Sequence, residues 1–164
     1  MVRSQNIEAG RRMTPHRSAV VVIVLIAVAI GAVREFLFLN LNYSIDHLAN
    51  HRPVSYAHSL FNAAVVGYDL HTLLILKWCL ALVFISVMLG LSVLMARFLF
   101  GDHRYRMAIV LGFLAVGSLA LLLNIGAGRH PAMGNISVKL LHLLQYPVIL
   151  FFLWAAAMLQ RRTA

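Results

Sequence analysis

VVVIVLIAVAIGAVREFLFLNLN, residues 20–42, carries no polar side chain until Arg34 and Glu35, which stand side by side between apolar neighbours. A continuous apolar run of this length reads as a membrane-spanning helix, here over residues 19–39. A basic segment precedes it, as in a secretory leader. The run is longer than a leader's apolar region and no small-residue cleavage motif follows, so the reading is a retained helix. The charged pair near its far end is what needs explaining.

The rest of the chain supports a membrane setting. Of 164 residues, 62% are hydrophobic and only 12% are charged, about half the share usual in soluble domains. So few charges cover the surface of a small water-soluble fold poorly. Three further stretches, at residues 71–98, 107–124 and 140–159, have the length and apolarity of spans. The expected architecture is an all-α integral membrane protein. It is a single compact four-helix bundle over residues 1–164, with a structured outer loop at residues 40–70.

The formal net charge of +9 is distributed in short segments between the apolar runs. That pattern is a topology signal rather than a nucleic-acid footprint. Arg3, Arg11, Arg12 and Arg17 precede the first span. Arg97, Arg104 and Arg106 flank the link between spans two and three, and Arg161 and Arg162 close the chain. In a four-span arrangement all of these fall on one side. The opposite side has Arg52 in a long loop and Arg129 and Lys139 in a short one. Both termini are therefore expected in the cytoplasm. Length and charge pattern together are those of a small bacterial-type inner-membrane protein. The lone cysteine, Cys79, excludes an intrachain disulfide.

Ala27 and Gly31, Ser86 and Gly90, and Ala108 and Gly112 are each four apart, so each pair lies on one helical stripe that would let backbones approach closely. Counting about 1.5 Å per residue from Arg17 puts Arg34 in the outer part of the hydrocarbon, where it can snorkel. Adjacent helical positions point about 100° apart, so Arg34 and Glu35 are expected to reach different partners rather than cancel one another. Lys77 is a candidate partner for Glu35. Glu35 shares a face with Gly31, Phe38 and Asn42.

Polar groups recur at similar depth on the other helices: Asp69, His71 and Lys77 on the second, Asn124 and then Arg129 on the third. On the fourth, Lys139, His142 and Tyr146 share a helical face, with Gln145 beside them. All four helices thus place polar groups near one leaflet. This layer is expected to form an electropositive site for a lipid head group, a carboxylated molecule or a partner's acidic residue. Its candidate residues are Arg34, Glu35, Asn42, Asp69, His71, Lys77, Asn124, Arg129, Lys139, His142 and Tyr146. The plainer reading is that charges near helix ends snorkel and Glu35 is merely neutralised by Lys77 or Arg34.

The 40–70 loop is long for a connector. "SIDHLAN" is expected as a short helix capped by Ser44, and "SYAHSLFNAAVV" as another capped by Ser55, with Pro53 between them. Leu60, Ala63 and Ala64 would lie against the membrane.

Several chemistries can be weighed. His47 and His51 share a face if helical, but "HLANH" lacks the acidic residue of a zinc helix. A b-type haem requires two histidines on facing helices, which His71 and His142 would supply. Both are weaker readings than ordinary surface or packing histidines, and no cofactor is expected beyond a bound lipid. Glu35, His58, His71 and His142 are the candidates for acid–base catalysis, yet no spacing singles one out. The reading is a small accessory or scaffold protein that binds lipid, another membrane subunit or its own copy, with no nucleic acid. The alternatives are a small membrane enzyme acting on a lipid or lipid-linked substrate, and a haem- or metal-binding subunit.

Overall fold

The computed structural model describes residues 15–52, 54–128 and 130–163. Arg3, Arg11, Arg12, Pro53 and Arg129 lie outside the described residues. The described chain is all-helical: α1 Pro15–Ala49, α2 Ser59–Val65, α3 Leu70–Phe100, α4 His103–Gly126, α5 Pro131–Gln145 and α6 Val148–Thr163. Three helices are long and apolar enough to cross a membrane, within α1, α3 and α4. The pair α5 and α6 makes a fourth if it counts as one bent span.

Helix α1 departs from expectation by continuing through residues 40–49. "SIDHLA" is its last part, not a separate helix, and Asn50 follows in the turn. Ser44 is no cap: its hydroxyl donates to the Asn40 carbonyl at 3.1 Å, inside the helix. No glycine or proline interrupts residues 32–49, so nothing local stops propagation. Arg34 sits 19 residues after Pro15 and 15 before Ala49, close to the middle of the helix.

Helix α2 is capped by His58, whose Nδ1 accepts from the Leu60 N–H at 3.3 Å, and not by Ser55. Asn40 Oδ1 ties this turn to α1 by accepting the His58 N–H at 2.6 Å. Val65 then packs with Leu41 and Leu73, joining α2 to α1 and α3. Leu60, Ala63 and Ala64 are exposed. Asp69 caps α3, accepting from the Thr72 hydroxyl and from its N–H at 3.3 Å. These two donors hold the Asp69 carboxyl below its ordinary range.

The turn from α3 to α4 is short. Gly101 adopts φ 70°, a left-handed conformation suited to glycine, and its N–H reaches the Arg97 carbonyl at 3.2 Å. Asp102 then caps α4 through the Arg104 N–H at 3.0 Å.

The expected straight helix over residues 140–159 is broken. Pro147 has no N–H and its ring conflicts with a helical carbonyl four residues back. Tyr146 before it is extended, at φ −100° and ψ 155°. The two halves meet at 58°. Gly31 of α1 faces this break: a Cβ there would lie 3.5 Å from Pro147 Cδ.

Helix α3 is the hub, packing against α1, α4, α5 and α6, while α4 pairs most closely with α5. The main core joins Val20, Ile23 and Ala27 of α1 to Met88 and Met95 of α3, Phe113 of α4, Leu144 of α5 and Leu150 of α6. Phe38, Ala81 and Phe84 form a second cluster. Two buried serines satisfy their hydroxyls on carbonyls. Ser92 donates to Met88 within α3 at 2.8 Å, and Ser137 donates across to Ala120 of α4 at 2.7 Å. Of the three small-residue pairs, only Ala27 and Gly31 are buried. Ser86, Gly90, Ala108 and Gly112 face outward, and a Cβ at Gly90 or Gly112 would meet nothing. Their stripes do not pack within the protomer.

Candidate functional site

Arg34 is buried to 2% exposure where α1 meets the break between α5 and α6. Its Nε and Nη2 donate to Gln145 Oε1 at 2.9 and 2.8 Å. Its Nη1 donates to Glu35 Oε2 and to the Tyr146 hydroxyl, both at 2.9 Å. The Tyr146 hydroxyl in turn donates to the same Glu35 oxygen. The guanidinium also stacks against the Phe38 and Tyr146 rings, at 4.5 and 4.7 Å from their centres. A planar, weakly hydrated cation suits such a site, where two ring faces and several acceptors replace its water.

Two sequence expectations change here. Arg34 and Glu35 do pair directly, because the long arginine side chain swings far enough to bridge the angle between adjacent positions. Lys77 does not pair with Glu35: among the described residues the ion pairs are Arg34–Glu35 and Asp46–Arg52. Arg34 nonetheless also reaches other partners, Gln145 and Tyr146. Those are available because Pro147 ends α5 and turns Tyr146 back toward α1.

A cavity of about 410 Å³ opens beside this network. Its polar lining is Arg34, Glu35 and Asn42 of α1, Lys77 of α3, Asn124 of α4, and His142 and Gln145 of α5. Its apolar wall includes Leu39, Leu74, Trp78, Val138 and Leu141. Leu39, Leu74 and Trp78 are also 47%, 40% and 44% exposed, so this wall runs out onto the outer surface of the helices.

Six of the sequence candidates therefore meet around one cavity: Arg34, Glu35, Asn42, Lys77, Asn124 and His142. Tyr146 joins them through its bonds to Arg34 and Glu35. Asp69 instead caps α3, and His71 is exposed on its first turn. Lys139 is exposed and does not line the cavity, although His142 three positions on does. The charged lining is thus Arg34, Glu35 and Lys77, less positive than the sequence count implied.

The other histidines are separate. His58 caps α2 and meets the Phe36 ring edge-on. His51 lies at φ 48° in the turn after α1, so it does not share a helical face with His47. Among the described residues, no three His, Cys, Asp or Glu side chains gather as a metal site. Only His142 of the two haem candidates lines the cavity.

Gln145 and Phe38 are the main residues missed from the candidate set. A glutamine three positions from His142 in an apolar run was one available signal. An aromatic residue one turn beyond a mid-helix arginine was the other. Comparisons with protein-family models, with curated proteins and with solved structures find no match.

Proposed function

We propose that this small multi-span membrane protein binds a single amphiphilic molecule, a membrane lipid, in the cavity between α1, α3, α4 and α5, without catalysing its conversion. One observation carries the reading. The cavity is lined both by polar groups, Lys77, His142, Asn42, Asn124 and Glu35, and by apolar side chains, of which Leu39, Leu74 and Trp78 are also exposed on the outer helix surface. A head group and an adjoining chain match those two kinds of lining. The positive-inside bias would place both termini in the cytoplasm, in an inner membrane of bacterial type, with the α1–α3 connection outside.

A second reading, a small membrane enzyme, draws on the presence of Glu35 and His142 in the same cavity. The bonding of Glu35 favours the non-catalytic role. One of its oxygens is held by Arg34 and Tyr146, and among the described residues no hydrogen bond joins it to His142, so the two do not form an acid–base pair.

Native mass spectrometry of the gently solubilised full chain tests the proposal. The wild type should carry one lipid-sized adduct. Val138→Trp, which fills the apolar wall, should lose the adduct while far-ultraviolet circular dichroism stays unchanged. An adduct of unaltered mass and abundance in that variant would exclude the cavity as the binding site.

A further inference from the structure

The bonding at Arg34 decides which cavity groups remain for a ligand. Its Nε, Nη1 and Nη2 are all engaged by Gln145, Glu35 and Tyr146. Arg34 is therefore a structural cation. Glu35 uses only Oε2 in this network. Its Oε1 has no donor among the described residues, and the side chain is 58% exposed. Lys77 is half-buried, with neither a hydrogen bond nor an ion pair among the described residues. Among its charged groups the cavity thus presents one unused ammonium and one unused carboxylate oxygen, beside the Asn42, Asn124 and His142 side chains and an apolar wall.

An ammonium carries three donors and no acceptor, whereas a carboxylate oxygen only accepts. A ligand satisfying both supplies an anion to Lys77 and an N–H or O–H to Glu35. We infer, building on the lipid-binding reading above, that the occupant is a phospholipid whose phosphodiester pairs with Lys77. A primary ammonium or hydroxyl of its head group donates to Glu35. The acyl chains leave past Trp78, the exposed apolar residue next to Lys77 on its membrane-centre side. A choline head group has no N–H or O–H to offer, so it would cover the Glu35 oxygen without a donor and bind less well. Ethanolamine and glycerol head groups both meet the requirement.

The test uses the full chain, delipidated and then offered equimolar phosphatidylethanolamine, phosphatidylglycerol and phosphatidylcholine with matched acyl chains, read by native mass spectrometry. Wild type should retain the first two roughly tenfold over the third, as expected for one hydrogen bond to a charged acceptor. Glu35→Gln should bring that preference toward unity, and Lys77→Gln should reduce retention of all three. Equal retention of all three by wild type overturns the Glu35 contact, and this comparison stands even where a variant fails to fold. Undiminished retention in a folded Lys77→Gln protein overturns the phosphate contact. Displacement by equimolar water-soluble glycerophosphoethanolamine would overturn the part assigned to the apolar wall. Failure of wild type to retain any lipid overturns the cavity reading itself, an outcome distinct from loss of head-group preference.

Discussion

Arg34 has almost no contact with solvent, yet its charge is met by a carboxylate, an amide oxygen, a phenol and two ring faces. Removing one member of a buried charged network leaves the others unsatisfied, at a cost on the order of 3 kcal/mol. Arg34→Met should therefore lower the thermal unfolding midpoint in detergent markedly, because Gln145 Oε1 loses both of its donors and Glu35 loses its counter-charge. Gln145→Leu should be damaging for the converse reason. Glu35→Gln should cost much less, since the amide oxygen can still accept from Arg34 and Tyr146 and Arg34 keeps its other acceptors. A Glu35→Gln loss as large as that of Arg34→Met would overturn this ranking. The sequence made Arg34 and Glu35 conspicuous but gave their partners poorly. Whether two adjacent side chains meet depends on rotamers, and the Gln145 amide lies 111 positions away.

At the level of elements, the break at Pro147 shapes the site more than any single span does. A continuous helix would carry Tyr146 on around its own axis, not back toward α1. Pro147→Ala restores an N–H and relieves the clash, so the 58° bend should relax. Spin labels at Asn135 and Met158, both exposed, should then move apart in pulsed dipolar spectra. Ser137→Ala removes a hydroxyl bond that joins α5 to α4, and should cost about 0.6 kcal/mol, the usual size of an interhelical bond in a membrane protein. The cap of α3 is the pH-sensitive element. The Asp69 carboxyl lies below its unfolded value, so its stabilisation is present above that value and fades as pH falls through the folded one. Amide exchange in the first turn of α3 should accelerate, relative to the helix centre and after correction for intrinsic rates, once pH drops below about 4.

On the scale of the whole molecule, burial is uneven. Helix α3 touches every other long element, whereas α4 buries only Phe113 and Ala120 among its described side chains. The exposed apolar surfaces of α1, α3 and α4 are what a hydrocarbon solvent requires of a small bundle. The proposed orientation has a direct check. With the native Cys79→Ser, a cysteine at Asn50 should react with a membrane-impermeant thiol reagent in intact cells or right-side-out vesicles. One at Asp102 should react only after permeabilisation. The opposite pattern would invert the topology.

Composition and apolar run length were enough to indicate helices long and apolar enough to span a membrane near α1, α3 and α4, because hydrocarbon solvent would constrain every position of a span at once. They also marked polar residues on four segments as belonging together. Short-range signals were harder to read. The continuation of α1 to Ala49 turned on the absence of a stop, and the bend at Pro147 could be flagged but not aimed. The 410 Å³ cavity, the sequestration of Arg34 and the unused groups of Glu35 and Lys77 came only with the tertiary structure. Those features depend on angles between helices and on side-chain reach across them, and neither is encoded in any one helix's own pattern.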